Sequence, residues 1–232
     1  MEGDADIAKV GALVADPARA RILLALGDGR ALPATVLADE AGVSPSTSSA
    51  HLSKLVAGGL LHVRRDGRHK YFRVAGPDVG ELIEVLARLS PGSSVRSLRQ
   101  GTRAEAIRHA RTCYDHLAGV LGTSLMDALL ERELLAPDPN ADFRLTERGA
   151  AELAAFGIEL APLRARRRQL LRGCVDWSER RHHLAGGLGA AIARRMFELG
   201  WIERSRGTRA VRVTESGARG LRETFGVELA AF

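Results

Sequence analysis

The sequence predicts a mainly α-helical protein with small β-hairpins, divided into two domains. Apolar residues recur at helical spacing over much of the 232-residue chain. Turn signals such as Asp66-Gly67 separate pairs of short strand-like segments. The stretch SPGSS, residues 90–94, is typical of a linker. We therefore predict one domain over residues 1–90 and a second over residues 96–232.

The composition limits the classes of function. Lysine and arginine number 34 against 28 acidic residues, and the net charge of +6 favours a polyanionic partner. Two cysteines are too few for a disulfide framework. The first residues lack the basic start and apolar core of a signal peptide. No apolar run approaches the roughly 20 residues of a membrane span. We therefore expect a cytoplasmic protein that makes no membrane contact.

Three short helices are predicted ahead of the most informative segment. Apolar residues between Ile7 and Val14 have helical spacing. The pair Asp16-Pro17 is typical of an N-cap followed by proline at the first helical position, and residues 27–29 end that helix. A third helix is predicted over about residues 33–40. Gly42 then permits a tight turn.

A fourth helix is predicted to begin at Ser44-Pro45, because serine caps helices and proline suits their first position. Leu52, Leu55 and Ser48 share one face of it. The other face is short and polar, as a helix needs to approach base edges in a major groove. We predict DNA contacts from this helix by Ser46, Thr47, Ser49, His51, Ser53 and Lys54. An ordinary solvated face is the alternative.

The hairpin that follows favours DNA binding. Two short strands, residues 60–65 and 68–74, flank the turn signal Asp66-Gly67. Cations crowd its tip, and we predict DNA contacts by Arg64, Arg65, Arg68 and Lys70. Charges this dense repel one another unless they meet an anion, and DNA phosphates supply one. The alternative is a soluble charged hairpin.

These segments together resemble ArsR-type winged helix-turn-helix regulators over about the first 90 residues. LVADPARARILLAL, from Leu13, resembles their entry helices, and ADEAGVSPSTSSAHLSKLVAGGLLHVRRDGRHKYFRV, from Ala38, resembles their turn, recognition helix and wing. The resemblance implies a sequence-specific regulator of double-stranded DNA, by family habit a repressor. It also implies a homodimer that uses the first helix and the helix after the wing, here about residues 78–89. That helix has an apolar seam.

The resemblance does not extend to the metal sites of that family. Metal-sensing members resemble one another in carrying cysteines in the helix before the turn, but residues 33–40 contain no thiol. Other members place histidine and carboxylates on the helix after the wing, which here lacks histidine. Ser48 also occupies a position that is often apolar in the family, which implies slightly looser packing.

An internal repeat organises the second domain. The segment HLAG begins at His116 and occurs again at His183, 67 residues later. LTERGAAELAAFGIEL recurs as VTESGARGLRETFGVEL, and the threonines in these segments, Thr146 and Thr214, are predicted N-caps 68 residues apart. Each copy, about residues 102–160 and 164–229, predicts a helix, a hairpin and a helix, somewhat like a winged helix. A ligand pocket is favoured at the seam between copies, and a purely structural dimerisation module is the alternative.

The repeated Cys-x-Asp motif is the sharpest feature of this domain. Thiolate, imidazole and carboxylate could hold a transition metal, but the two copies do not share the usual paired-ligand spacing. We therefore predict no metal site and no cofactor, and favour an organic small-molecule effector. Its predicted contacts are Cys113, Tyr114, His116, Cys174, Asp176, Trp177, Arg181 and His183. A metal- or redox-responsive regulator that uses Cys113, Cys174 and the nearby histidines is the alternative.

An enzyme is the other class of function. Cysteine, histidine and aspartate occur together, as in thiol hydrolases. However, the sequence contains no glycine-flanked nucleophile motif, phosphate loop or cofactor fingerprint. A hydrolase also leaves the basic first domain unexplained. We therefore expect a regulator and not an enzyme, with DNA affinity that falls steeply as salt rises.

Overall fold

The chain is divided into two structural units, Met1–Ala87 and Arg88–Phe232. The computed structural model describes residues 4–91, 98–205 and 208–229. The end of the predicted linker, residues 92–94, lies outside the described residues. The elements are helices and small antiparallel hairpins, which confirms the predicted fold class at that level. Within the described residues, no helix has the length and apolar character needed to cross a membrane.

In the first unit, four helices precede a hairpin and a fifth helix follows it. The helices are α1 (Ile7–Val14), α2 (Pro17–Leu26), α3 (Ala34–Ala41), α4 (Pro45–Ala57) and α5 (Pro77–Leu89), and the strands are β1 (Leu32–Pro33), β2 (Leu61–Asp66) and β3 (His69–Val74). The Asp16 carboxylate accepts the amides of residues 18 and 19 at the start of α2. The Ser44 hydroxyl accepts the amide of Thr47 at the start of α4. Both caps are as predicted.

The hairpin of β2 and β3 turns one residue later than predicted. Asp66 pairs with His69, so the two-residue loop is Gly67-Arg68. Gly67 adopts a φ of +56°, which glycine reaches without a steric penalty and which suits a tight hairpin turn. The short strand β1, absent from the prediction, pairs with β3 and completes a sheet of order β1-β3-β2.

The core of the first unit lies among α2, α3 and α4. Ile22, Leu37 and Leu55 are fully buried there. Arg19 is also buried, and its guanidinium donates to the carbonyls of residues 12 and 13 at the end of α1. By contrast, α1 itself buries none of its side chains, and Ile7 is 80% exposed. The helix is therefore held mainly by its C-terminal end.

In the second unit, one order of elements occurs twice: helix, hairpin, helix, hairpin, helix. The first half contains α6 (Leu98–His109), β4 (Arg111–Cys113), β5 (His116–Ala118), α7 (Gly119–Glu131), β6 (Leu135–Asp138), β7 (Ala141–Leu145) and α8 (Glu147–Ala155). The second half contains α9 (Leu160–Arg164), β8 (Arg172–Val175), β9 (His182–Ala185), α10 (Gly186–Glu198), β10 (Ile202–Arg204), β11 (Val211–Val213) and α11 (Glu215–Phe225). Each half thus has one helix and one hairpin more than the predicted helix-hairpin-helix.

The additional hairpins are β4–β5 and β8–β9. Their strands are only three or four residues long, too short to show an alternating pattern, and β5 and β9 lead directly into the apolar helices α7 and α10. The helical pattern of those segments therefore hid the strands from sequence reasoning.

The two halves interlock around one apolar core. Helix α7 packs on β9, and α10 packs on β5, so each hairpin contacts the helix of the other half. Buried apolar residues from both halves form a single cluster that extends from Ala110 to Val227. Thr146 and Thr214 cap α8 and α11, as predicted, by accepting amide hydrogens from Gly149 and Gly217. This packing brings the hairpins β4–β5 and β8–β9 together.

Candidate DNA-binding surface and candidate metal centre

The outer face of α4 is polar and open to solvent. Ser46, Thr47, Ser49, Ser53 and Lys54 are all exposed, as predicted for a recognition surface. The Ser44 hydroxyl lies 2.9 Å from the hydroxyls of Ser46 and Thr47, so the cap also orients these two side chains. The Ser53 hydroxyl donates to the carbonyl of Ser49. Short, oriented hydroxyls allow a helix to approach base edges closely.

The inner face of the same helix buries Leu52, Leu55 and Ser48, each at most 1% exposed. The Ser48 hydroxyl has no hydrogen-bond partner among the described residues. His51 also turns away from the outer face: its side chain is 16% exposed, and its Nδ1 lies 3.6 Å from Oδ1 of Asp16. The structure therefore places His51 between α4 and the start of α2, and not on the outer face where a DNA contact was predicted.

The wing, residues 62–70, is exposed along its whole length. Arg65 and Lys70 face each other directly across the two strands. Such neighbours have Cβ atoms about 5 Å apart, and like charges there destabilise a hairpin. Within the described residues, no acidic side chain forms an ion pair with either of them. Arg64 lies on the other face, 4.0 Å from Asp66, with both side chains mostly exposed.

The sequence prediction missed one further cation of the β2–β3 hairpin, which lies just beyond the wing. Arg73 is exposed and pairs with His62, on the same face as Arg64 and Tyr71. Because residues two apart in a strand share a face, the alternation from Tyr71 to Arg73 was a signal that could have found it. The wing therefore presents cations on both faces.

Four of the eight predicted effector contacts come together in the second unit. Cys113 pairs with His116 across β4 and β5, and Cys174 pairs with His183 across β8 and β9. Their four ligand atoms, one from each residue, all lie within 4.8 Å of one another. Three of these side chains are buried, and Cys174 is half-buried. We name these four residues the Cys/His cluster.

Both histidines of the Cys/His cluster have the same arrangement. Their Nε2 atoms face each other at 3.2 Å. Nδ1 of His116 lies 3.3 Å from Oδ1 of Asp115, and Nδ1 of His183 lies 3.1 Å from Oδ2 of Asp176. Each aspartate belongs to the Cys-x-Asp motif of its own half. A carboxylate behind the outer ring nitrogen is the usual way in which proteins orient a metal-binding histidine.

Arginines hold both aspartates as carboxylates. Burial alone raises the pKa of Asp115, but hydrogen bonds with Arg168 and His116 lower it to about 2. Asp176 is completely buried, which also raises its pKa, but contacts with His183 and Arg111 hold that pKa well below its usual range. Nη2 of Arg111 lies 2.8 Å from Oδ1 of Asp176. Both aspartates are therefore ionised at neutral pH.

The thiol of Cys174 lies in surroundings that favour its ionised form. A hydrogen bond from Cys113 is the largest of the causes that lower the pKa of Cys174. Contacts with His116 and His183 lower that pKa further, against the opposing effect of burial. No disulfide joins the two cysteines. A thiolate is the form of cysteine that binds metal ions.

The remaining predicted effector residues have other partners. The Arg111 guanidinium lies 4.6 Å from the centre of the Trp177 ring. Arg181 forms an ion pair with Asp127. Tyr114 lies in the tight turn between β4 and β5. Sequence reasoning missed Arg111, because its partners Trp177 and Asp176 are distant in the chain.

Two glycines give the histidines room to approach. A Cβ atom at Gly122 of α7 would lie 2.5 Å from the Leu117 carbonyl oxygen and 3.3 Å from Cβ of His183. A Cβ atom at Gly189 of α10 would lie 3.3 Å from Cβ of His116. These glycines are 67 residues apart, the offset that also separates the two histidines. The repeat therefore carried a signal for them, although it did not show what they contact.

Some known proteins are similar to the first part of the chain alone, and one is similar to almost all of it. A family described as a helix-turn-helix domain matches residues 14–64. The uncharacterized HTH-type transcriptional regulator YdfF of Bacillus subtilis is 42% identical over 97% of this chain and 99% of its own length. The HTH-type transcriptional regulator Rv0324 of Mycobacterium tuberculosis is 40% identical over 34% of this chain and 35% of its own length.

Among solved structures, a homodimeric winged helix-turn-helix DNA-binding domain of Mycobacterium bovis, described as a possible ArsR-family regulator, is 34% identical. The match covers 37% of this chain and 86% of that domain, with a TM-score of 0.33.

Proposed function

Because this chain belongs to the HTH-type transcriptional regulators, we propose that it is a homodimeric repressor whose operator binding is modulated by an effector held in the second unit. Membership of that family confirms the predicted transcriptional regulator with a helix-turn-helix DNA-binding domain. The dimer, the repressor role and the effector are proposed in addition to this function, on the physical arguments that follow.

The observation that carries the DNA contact is the wing. Arg65 and Lys70 are exposed and directly opposite each other, with no acidic partner among the described residues. Free in solution, this pair raises the free energy of the hairpin, whereas a phosphate between the two cations lowers it. The wing therefore binds the DNA backbone and contributes affinity for any sequence.

The face of α4 supplies sequence recognition. Ser49 and Lys54 are exposed, and neither side chain has a hydrogen-bond or ion-pair partner among the described residues. Donors of this kind on a helix in the major groove read base edges. We therefore place α4 in the groove, with Ser46, Thr47 and Ser53 beside these two residues, and the wing along the adjacent backbone.

Exposed apolar residues on α1 and α5 support the homodimer. Ile7 is 80% exposed on α1, and on α5 Leu89 is 75% and Leu86 36% exposed. A second copy of the chain would cover these residues through a symmetric interface. Two copies of α4 would then reach successive major grooves about one helical turn apart.

The second unit holds the effector in this proposal. Among the described residues, the one group of three or more close metal-ligating side chains is the Cys/His cluster. An effector acts only if it binds the DNA-competent and incompetent states with different affinity. The cluster joins hairpins from both halves of the unit, so a ligand there can favour one arrangement of the halves over another.

The test begins with an operator selected by the purified protein from random duplexes. Fluorescence anisotropy then measures its affinity across a series of salt concentrations. Arg65→Ala should weaken binding to operator and random DNA alike. Because it removes one contact from each protomer of the dimer, it should reduce the log–log salt slope by about 1.8. Arg194→Ala is the control, because it removes another exposed cation, from α10 in the second unit.

Unchanged affinity and slope in Arg65→Ala would contradict the wing assignment. Analytical ultracentrifugation of the wild-type chain tests the dimer separately, and a monomer both with and without operator would contradict it.

A further inference from the structure

The two imidazoles of the Cys/His cluster are arranged as two ligands of one metal ion would be. Nδ1 of each ring lies within 3.3 Å of a carboxylate oxygen, an arrangement that suits a hydrogen on Nδ1. In a neutral ring, Nε2 is then a bare acceptor. The Nε2 atoms of His116 and His183 are only 3.2 Å apart. Two acceptors at that distance repel each other unless a positive charge lies near both.

The distances within the cluster fit four ligands that coordinate one metal ion tetrahedrally. Zinc–nitrogen bonds of about 2.0–2.1 Å place two nitrogen ligands roughly 3.3–3.4 Å apart on a tetrahedron. Zinc–sulfur bonds of about 2.3 Å place two sulfur ligands roughly 3.8 Å apart. The observed Nε2–Nε2 distance of 3.2 Å and the limit of 4.8 Å for all pairs agree with those edges after small adjustments.

The chemistry of the ligands selects the class of ion. Two thiolates and two neutral imidazoles suit zinc and similar soft transition ions, whereas calcium and magnesium require oxygen ligands. A divalent ion with two thiolates forms a centre of zero net charge, which lowers the cost of burial. Any thiol that is protonated beforehand releases its proton to solvent when the ion binds.

We propose that the Cys/His cluster binds one zinc-type transition metal ion through the sulfurs of Cys113 and Cys174 and the Nε2 atoms of His116 and His183. All four positions of the tetrahedron belong to the protein, so the site is closed and non-catalytic. The ion links β4–β5 to β8–β9 and thereby fastens the two halves of the second unit. Resting on the proposed function, the inference further identifies this ion as the effector.

Cobalt is the probe for the test, because a tetrahedral thiolate site gives Co²⁺ strong visible absorption and a near-ultraviolet charge-transfer band. The reduced, chelator-treated full-length chain is titrated with Co²⁺ and then with Zn²⁺. We expect one Co²⁺ per chain, both bands, and their loss when Zn²⁺ displaces cobalt. Since the chain has only two cysteines, a thiolate band can arise only from Cys113 and Cys174.

Neighbouring histidines supply the matched control. His183→Gln removes a ligand, and the tetrahedral spectrum should be lost. His182→Gln changes the adjacent exposed residue of β9, whose side chain is on the opposite face, and the spectrum should be retained. Asp115→Asn keeps all four ligands but removes the carboxylate behind His116. It should weaken Co²⁺ binding by roughly 10- to 100-fold.

The inference is overturned if the reduced wild-type chain gives no thiolate–cobalt band, or if His183→Gln keeps the full spectrum. It is also overturned if the reduced chain binds no cobalt and air converts the cysteines to an intramolecular disulfide. The cobalt experiment contains no DNA, so its failure leaves the proposed DNA binding intact. Conversely, a cobalt spectrum in a chain that binds no operator would refute the proposed function alone.

Discussion

The substitution Lys70→Glu should make the first unit more stable and its DNA binding weaker. Lys70 faces Arg65 directly across β2 and β3. Glutamate at this position replaces a repulsive cross-strand pair by an attractive one. Loss of the repulsion and gain of an attraction both stabilise the hairpin in the absence of DNA. In the complex, the phosphate contact of Lys70 is lost, and the charge of Arg65 is partly neutralised by the new glutamate. A variant that is more stable but binds DNA more weakly would show that the cations at these positions contribute to DNA binding and not to the stability of the hairpin.

The magnitudes follow from the geometry of the pair. Cross-strand charge pairs contribute roughly 0.2–1 kcal/mol, and the wing is exposed to solvent, so we expect a gain somewhat below the middle of that range, about 0.5 kcal/mol. For a unit of this size, that gain corresponds to a rise in Tm of roughly 2–4 °C. Loss of the Lys70 contact from both protomers of the dimer should reduce the salt slope by about 1.8, and partial neutralisation of Arg65 should reduce it further.

Thermal unfolding and anisotropy measured on one preparation test both parts of this prediction. Lys70→Gln is the control, because it removes the repulsion without adding a negative charge, and it should give intermediate values in both assays. A glutamate variant that gains stability but binds DNA with an unchanged salt slope would refute the phosphate contact. A variant that loses stability would refute the cross-strand repulsion.

Three further predictions concern the buried hydroxyl, the dimer and the metal. Ser48→Ala should raise the free energy of unfolding by about 1 kcal/mol, because the Ser48 hydroxyl is buried without a partner among the described residues. The exposed neighbour provides the matched variant: Ser49→Ala should stay within about 0.5 kcal/mol in urea unfolding but alter the operator selected from random DNA. Leu89→Asp should dissociate the dimer in analytical ultracentrifugation, and a chain that stays dimeric would contradict the α5 interface. Zinc should change operator affinity by about 5–150-fold in the wild-type chain and leave Cys174→Ser unaffected; an equal response in both would place the effector elsewhere.

The starts of several helices followed from sequence alone. Asp16, Ser44, Thr146 and Thr214 each cap a helix by accepting an amide hydrogen within three residues along the chain. A contact that short depends on residue type and order, and hardly on the rest of the molecule. The same locality explains why the wing was predicted with an error of one residue at its turn.

The members of the Cys/His cluster were also visible in the sequence, but their arrangement was not. Cysteine and histidine are three residues apart in the first half and nine in the second, so no common ligand spacing was apparent. The structure gives both pairs the same relation, because each is a pair of direct neighbours across a hairpin. The longer loop between Val175 and His182 changes the spacing in sequence without changing that pairing.

The sequence by itself determined the DNA-binding unit, because caps, a two-residue turn and a run of cations are all local features. Only the tertiary structure decided which side chains of the second unit meet. Helices α7 and α10 exchange partners between the halves, and glycines at positions 122 and 189 let the histidines approach. His116 and His183 thereby come within 3.2 Å although 67 residues separate them. No local sequence pattern predicts that distance, since it results from the packing of the whole unit.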